Sequence, residues 1–150
     1  MELRKLMVDT KAVWLEYPGL ESFEVEVVNL SRKELTALRK RCINSKFDRK
    51  TRQLIEELDE DKFVIEFSNA VIKNWKGLTL EHLQTLLLID TTGQELNEEL
   101  PYSKENAQIL ISSSNEFDTW LNEVVFDLDN FRDRGEGGSE KPTGKTVQKP

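Results

Sequence analysis

The spacing of apolar residues changes from strand-like to helical after about the first thirty positions. In segments 13–17 and 23–27 an apolar residue occupies every second position, which predicts two strands with one buried face. Pro18-Gly19 lies between them and predicts a turn. We therefore expect an antiparallel pair, with Leu6 to Asp9 as a candidate third strand. Because an isolated hairpin is marginal in water, we expect this sheet to pack on a helix.

A capping box predicts where the first long helix begins. Ser31 stands at the N-cap and Glu34 at the third helical position. Leu35, Leu38 and Cys42 then fall on one face of the helix. A second helix is predicted over 59–76, with Gly77 placed to end it.

The segment between these helices, 44–58, has no decisive periodicity. Lys46–Asp48 and Gln53–Leu58 fit short extended segments, although the second also fits a helix. We favour the extended interpretation. In either case we expect Phe47 and Leu54 to reach the core.

Helical spacing returns in the last third of the chain. A short helix is predicted from Thr79, after which leucines at 86–88 are expected to dock into the core. Ser103 is the candidate N-cap of another helix, and Ser113 with Glu116 forms a second capping box. The apolar stripe that follows indicates one amphipathic helix. Its members are Phe117, Trp120, Leu121, Val124, Val125, Leu128 and Phe131.

These elements predict an α+β fold, in which a small N-terminal antiparallel β-sheet packs on a mainly α-helical body. Residues 1–58 supply the sheet and the first helix, and 59–131 supply the helical remainder of the same domain. Residues 132–150 contain no large apolar side chain except Val147, so we expect a disordered, flexible C-terminal tail.

Composition favours a soluble protein. The chain is 37% apolar and 33% charged with a net charge of −7, which argues against nucleic-acid binding through phosphates. No apolar run is long enough to cross a membrane, and the N-terminus lacks the apolar block of a signal peptide. We therefore expect a cytoplasmic location.

No catalytic or metal-binding constellation is visible in the sequence. Cys42 and His82 are the chain's single cysteine and histidine, so neither a metal set nor a nucleophile–base pair can be assembled. We expect Cys42 to be buried and His82 to lie at a surface or helix edge. The sequence predicts no enzyme activity, no cofactor and no metal.

A series of short motifs carries a family resemblance. In order, they are Trp75-Lys-Gly-Leu78, Leu87-Leu-Ile-Asp90, Glu99-Leu-Pro-Tyr-Ser103, Glu105-Asn-Ala107, Phe117-Asp-x-Trp120 and Asp127-Leu-Asp-Asn-Phe131. Over most of residues 1–131 the chain resembles the tail assembly chaperones of long-tailed bacteriophages.

The resemblance implies a protein that acts in the host cell cytoplasm and is not in the mature virion. It would bind the tape measure protein and keep it soluble until the tail tube polymerises around it. The tail tube protein is a further candidate partner, and oligomerisation is left open. We expect the partner to bind between the 59–76 helix and the C-terminal helices, where Trp75, Phe117 and Trp120 would be partly exposed. The residues predicted to bind it are Trp75, Leu78, Tyr102, Phe117, Trp120 and Val124.

Three other functions are compatible with the sequence. A structural virion protein, such as a head–tail connector or tail terminator, would be found in particles. An acidic inhibitor of a host defence protein would need carboxylates spaced over one surface. A small enzyme is the third alternative, and no residue set supports it.

Overall fold

A computed structural model describes residues 1–9 and 11–132, so the predicted flexible tail lies outside the described residues except for Arg132. The strands are β1 (Val13–Glu16), β2 (Glu24–Val27), β3 (Ile43–Asp48), β4 (Gln53–Leu58) and β5 (Ile72–Lys76). The helices are α1 (Leu3–Leu6), α2 (Arg32–Arg41), α3 (Glu60–Val71), α4 (Leu80–Leu86), α5 (Lys104–Ser113) and α6 (Asn115–Val125), followed by a 3₁₀ turn over Leu128–Phe131.

The predicted α+β fold is confirmed. One antiparallel sheet has the strand order β1-β2-β5, and β3 and β4 form a separate two-stranded sheet. In the larger sheet Val25 and Val27 of β2 are fully buried, whereas Glu24 and Glu26 alternate with them toward the surface. The helices pack in sequence, with α2 on α3, α3 on α5 and α5 on α6.

The third strand of the larger sheet differs from the prediction. Segment Leu6 to Asp9 is not a strand, because Leu3–Leu6 forms the short helix α1. The third strand is β5, which pairs antiparallel with β2 and places Trp75 opposite Val25. The predicted helix 59–76 therefore ends at Val71, and its last five residues are extended. Ile72 and Trp75 could be buried in a helix or in a strand, so their apolar character does not distinguish the two. The strand forms because this segment pairs with β2, which is distant in the sequence.

Gly77 does not cap a helix, since it follows a strand. Its φ of +77° lies in the left-handed region, and a Cβ there would be 1.9 Å from the carbonyl oxygen of Ser22. Glycine is required at this position because the β1–β2 connection passes against its backbone.

Buried aromatic rings join the sheet to the C-terminal helices. Phe23 lies 6.4 Å from both Trp75 and Phe117, measured between ring centroids. Asn29, at the end of β2, donates a 2.7 Å hydrogen bond from Nδ2 to the carbonyl oxygen of Val125. The first and last parts of the described chain therefore share one core.

Helix starts are predicted well and helix ends less well. The capping box of Ser31 and Glu34 is present. The second predicted box is displaced by one residue, because the Ser114 hydroxyl, not that of Ser113, accepts from the Phe117 amide. The amphipathic helix predicted to reach Phe131 ends at Val125, and Leu128 is exposed in the 3₁₀ turn that follows.

Two predictions about single side chains have opposite outcomes. Leu88 does not dock into the core, because its side chain is fully exposed after α4 ends. Cys42 is buried as predicted.

No helix in the described part of the chain has both the length and the apolarity needed to cross a membrane.

Candidate functional site

Four of the six residues predicted to bind a partner are buried, and the other two are half-buried. Trp75, Leu78 and Phe117 are 4%, 0% and 0% exposed, so the predicted partial exposure of Trp75 and Phe117 is wrong. Their side chains fill the space between the sheet and the C-terminal helices, which leaves none of their surface for a partner. Tyr102 and Val124 are half-buried, and Trp120 is 9% exposed.

The four aromatic residues among the six divide between two neighbourhoods. Trp75 and Tyr102 meet edge to face at 5.3 Å, and the Trp75 indole donates to the carbonyl oxygen of Leu100 at 2.9 Å. Phe117 and Trp120 lie 5.8 Å apart on α6. Of these four side chains, Trp120 also lines a surface cleft.

This surface feature, the acidic cleft, lies between the end of β1 and one face of α6. Its volume is about 420 Å³, and it is lined by Tyr17, Pro18, Asn115, Glu116, Thr119, Trp120 and Glu123. Tyr17 and Trp120 form its floor, with ring centroids 4.8 Å apart. The Tyr17 hydroxyl donates to Glu116 Oε2 at 3.1 Å.

Two carboxylates give the acidic cleft its charge. Glu116 and Glu123 are seven residues apart on α6, so both project from the same helix face. Burial raises the pKa of the Tyr17 hydroxyl, and the charge of Glu116 and its hydrogen bond raise that pKa further. Tyr17 therefore remains a neutral donor beside two anionic glutamates.

A second surface feature with exposed apolar side chains is the hairpin arm, defined as β3, β4 and the turn between them. Every residue from Ile43 to Glu57 is exposed except Asp48, which is half-buried. The two strands pack chiefly on each other. The base of the arm is closed by the Asp59 amide, which donates to the Cys42 carbonyl oxygen at 2.7 Å.

The two faces of the hairpin arm differ in character. Phe47 is directly opposite Leu54, and Ile43 is directly opposite Leu58. Directly paired residues, and every second residue along a strand, project to the same side, so these four side chains share one face with the Ser45–Glu56 pair that lies between them; it is called the apolar face. The opposite face carries Ile55 together with Lys46 and Glu57, which form a 3.3 Å ion pair. The predicted burial of Phe47 and Leu54 is wrong, because they are 59% and 73% exposed.

Phe47 and Leu54 were expected in the core because apolar residues usually lie there. A signal against burial was present. Phe47 is followed within five residues by Asp48, Arg49, Lys50 and Arg52, and so dense a run of charge is not accommodated in a core.

The turn of the hairpin arm is ordered by Asp48. Its carboxylate accepts hydrogen bonds from the Lys50 amide at 3.0 Å and the Thr51 hydroxyl at 2.9 Å. Arg52 adopts a φ of +60°, which reverses the chain. Arg49, Lys50 and Arg52, here called the basic tip, are exposed at the far end of the arm.

The described residues offer no metal site. Within 1–9 and 11–132, no three or more His, Cys, Asp or Glu side chains are grouped so that they could hold an ion. His82 lies half-buried at the start of α4, with Nδ1 3.0 Å from the carbonyl oxygen of Gly77. This is the helix-edge position predicted for it.

Comparison with known proteins gives one match. A family model described as YdaY prophage protein matches residues 31–139. The match includes the hairpin arm and α2 to α6, and it begins after the first two strands. No curated protein and no solved structure matches the chain. The phage origin implied by the sequence resemblance is confirmed.

Proposed function

The chain belongs to the YdaY prophage protein family, and we propose that it serves as a tail assembly chaperone that holds amphipathic helices of the tape measure protein. The observation that carries the proposal is the exposed apolar face of the hairpin arm. The motif order from Trp75 to Phe131 supports the same function by resemblance. In this function the chain is non-catalytic, acts in the host cell cytoplasm and is not in the mature virion.

The apolar face has the dimensions of a helix-binding surface. Each strand of six residues rises about 3.3 Å per residue, so the hairpin arm is about 20 Å long. Four turns of an α-helix span a similar length. A helix laid along Ile43, Phe47, Leu54 and Leu58 would cover all four side chains with its apolar stripe and would pass over the Ser45–Glu56 pair between them.

Covering Phe47 and Leu54 supplies the driving force. Complete burial of such a side chain contributes about 1.5–3 kcal/mol, and both are more than half exposed in the free protein. Exposed apolar surface of this kind is typical of interaction sites. A tape measure protein, with long runs of amphipathic helix, presents many stripes that fit the face.

The charge of the protein suits a chaperone that must release its client. The net charge is −7, so complexes carrying several copies repel one another and stay dispersed. Binding through a small apolar face without buried ion pairs also leaves the affinity modest. Polymerising tail tube protein can then displace the chaperone from the tape measure protein.

Co-purification with the tape measure protein tests the proposal. The variant Phe47→Ser/Leu54→Ser removes the apolar face, and because both side chains are exposed it should melt within a few degrees of wild type. The matched control is Ile65→Ser/Ile109→Ser, which replaces two exposed apolar residues on α3 and α5. We expect the hairpin variant to lose the tape measure protein and the control to retain it. Equal retention by both variants would refute the hairpin arm as the binding surface.

A further inference from the structure

Positive charge in this acidic protein is concentrated in one part of the sequence. Nine of its 21 Lys and Arg residues lie between Arg32 and Arg52, together with only two acidic residues, Glu34 and Asp48. The outermost members of this group are Arg49, Lys50 and Arg52 of the basic tip. None of these three forms an ion pair with another described residue.

Negative charge is likewise unneutralised in the acidic cleft. Neither Glu116 nor Glu123 has a cationic partner among residues 1–9 and 11–132. The rings of Tyr17 and Trp120 are 3% and 9% exposed, so they form the floor of the cleft, and the two exposed carboxylates supply its attraction for a cation. The cleft therefore combines two carboxylates with a concave surface, which suits an arginine or lysine side chain.

We infer that the basic tip of one copy docks in the acidic cleft of a second copy. The tip offers three cations on a tight turn, and the cleft has room for one or two such side chains in about 420 Å³. Asp48 fixes the turn through its hydrogen bonds to Lys50 and Thr51, so little ordering entropy is lost when the tip binds. The projection of the hairpin arm lets its tip reach a neighbouring molecule.

The contact is heterologous, because a tip on one molecule meets a cleft on the next. The resulting pair retains one free tip and one free cleft, so the association continues into a ring or an open chain. The apolar face of the hairpin arm lies along its strands, and its outer pair, Phe47 and Leu54, is two residues from Arg49 and Arg52 of the tip. Self-association does not depend on the proposed binding of a helix, because it uses the charges of the tip and not the apolar side chains.

Two variants separate the halves of the contact. The tip variant, Arg49→Glu/Lys50→Glu, reverses the basic tip. The cleft variant, Glu116→Gln/Glu123→Lys, removes the acidic charge, while the amide oxygen introduced at position 116 can still accept the Tyr17 hydrogen bond. The matched controls are Arg4→Glu/Lys5→Glu and Glu98→Gln/Glu95→Lys, which change the same charges at other exposed positions.

Sedimentation velocity over a range of concentrations at low ionic strength tests the inference. We expect wild type and both controls to associate, with the association weakened by added salt. Each variant alone should associate at least about tenfold more weakly. An equimolar mixture of the two variants should form dimers and no larger species, since the tip of the cleft variant and the cleft of the tip variant are both intact.

Two outcomes would overturn the inference. The first is a wild-type protein that stays monomeric at every concentration. If its basic tip then binds a DNA or RNA oligonucleotide, with binding lost only in the tip variant, a nucleic acid is identified as the partner of the tip. The second is a mixture of the variants that shows no more association than either alone.

Discussion

Gly77 packs against the backbone of Ser22, so closely that a Cβ on Gly77 would lie 1.9 Å from the Ser22 carbonyl oxygen. This contact seats the β1–β2 connection against the end of β5. Gly77→Ala must move backbone on one side of the contact, and its φ of +77° adds strain. We expect a loss of more than about 3 kcal/mol in the free energy of unfolding, measured by urea denaturation.

Gly93→Ala is the matched control for that prediction. Gly93 has a φ of +79°, but a Cβ there would meet nothing within 4 Å. Only the conformational cost remains, about 1–2 kcal/mol. Similar losses in the two variants would show that backbone conformation, and not the Ser22 contact, sets the requirement for glycine at position 77.

Trp75→Phe tests the hydrogen bond that ties β5 to the segment before α5. The indole Nε1 donates to the Leu100 carbonyl oxygen at 2.9 Å, and phenylalanine would leave that oxygen without this donor. The smaller phenylalanine ring also leaves a cavity. We therefore expect the free energy of unfolding, measured by chemical denaturation, to fall by about 2–4 kcal/mol. Trp14→Phe serves as the control because Trp14 is 39% exposed, and it should cost less than about 1 kcal/mol.

Cys42 should be unreactive in the folded protein. Its side chain is buried, and burial raises the pKa of the thiol, which keeps it in the less nucleophilic form. We expect a thiol reagent at mildly alkaline pH to label the native protein at the rate of unfolding, and the denatured protein at once. Rapid labelling under native conditions would show that α2 opens locally at its C-terminal end.

Tyr17 should make stability depend on pH in the alkaline range. Its pKa is raised in the folded state above the ordinary value of 10.0, chiefly by burial and then by Glu116. The unfolded chain therefore loses the phenolic proton first. The stability that Tyr17 contributes to the folded state is therefore fully present below about pH 10 and declines as the pH rises further.

The variant Tyr17→Phe isolates this contribution. Its unfolding free energy should fall less steeply above pH 10.0 than that of wild type, although Tyr102, whose pKa burial also raises, retains part of the dependence. Unfolding would be followed by circular dichroism at several alkaline pH values. Parallel curves for the two proteins would contradict the assignment of this pH dependence to Tyr17.

Local chemistry predicted much of the fold. Ser31 and Glu34 specify a helix start through hydrogen bonds within four residues, so sequence alone locates it. Ser113 and Ser114 are adjacent candidates with the same side chain, and tertiary packing selects the second. Strand β5 was missed because its conformation depends on pairing with β2, about fifty residues earlier in the chain.

The candidate site was predicted less well than the fold. An apolar residue in the sequence indicates burial without saying whether its own chain or a partner covers it. Phe117 and Phe47 illustrate the two cases, since the first is fully buried and the second is 59% exposed. Trp120 was predicted to be partly exposed but is buried at 9% exposure, and the acidic cleft above it requires Tyr17, which only the fold brings to α6.

Co-expression with the tape measure protein of the same prophage tests the proposed function most directly. The quantity measured is the fraction of tape measure protein that remains soluble after cell lysis and centrifugation. We predict that wild type and Ile65→Ser/Ile109→Ser keep it soluble, whereas Phe47→Ser/Leu54→Ser leaves it in the pellet. A tape measure protein that is insoluble with wild type, or equally soluble with all three, would contradict the proposal.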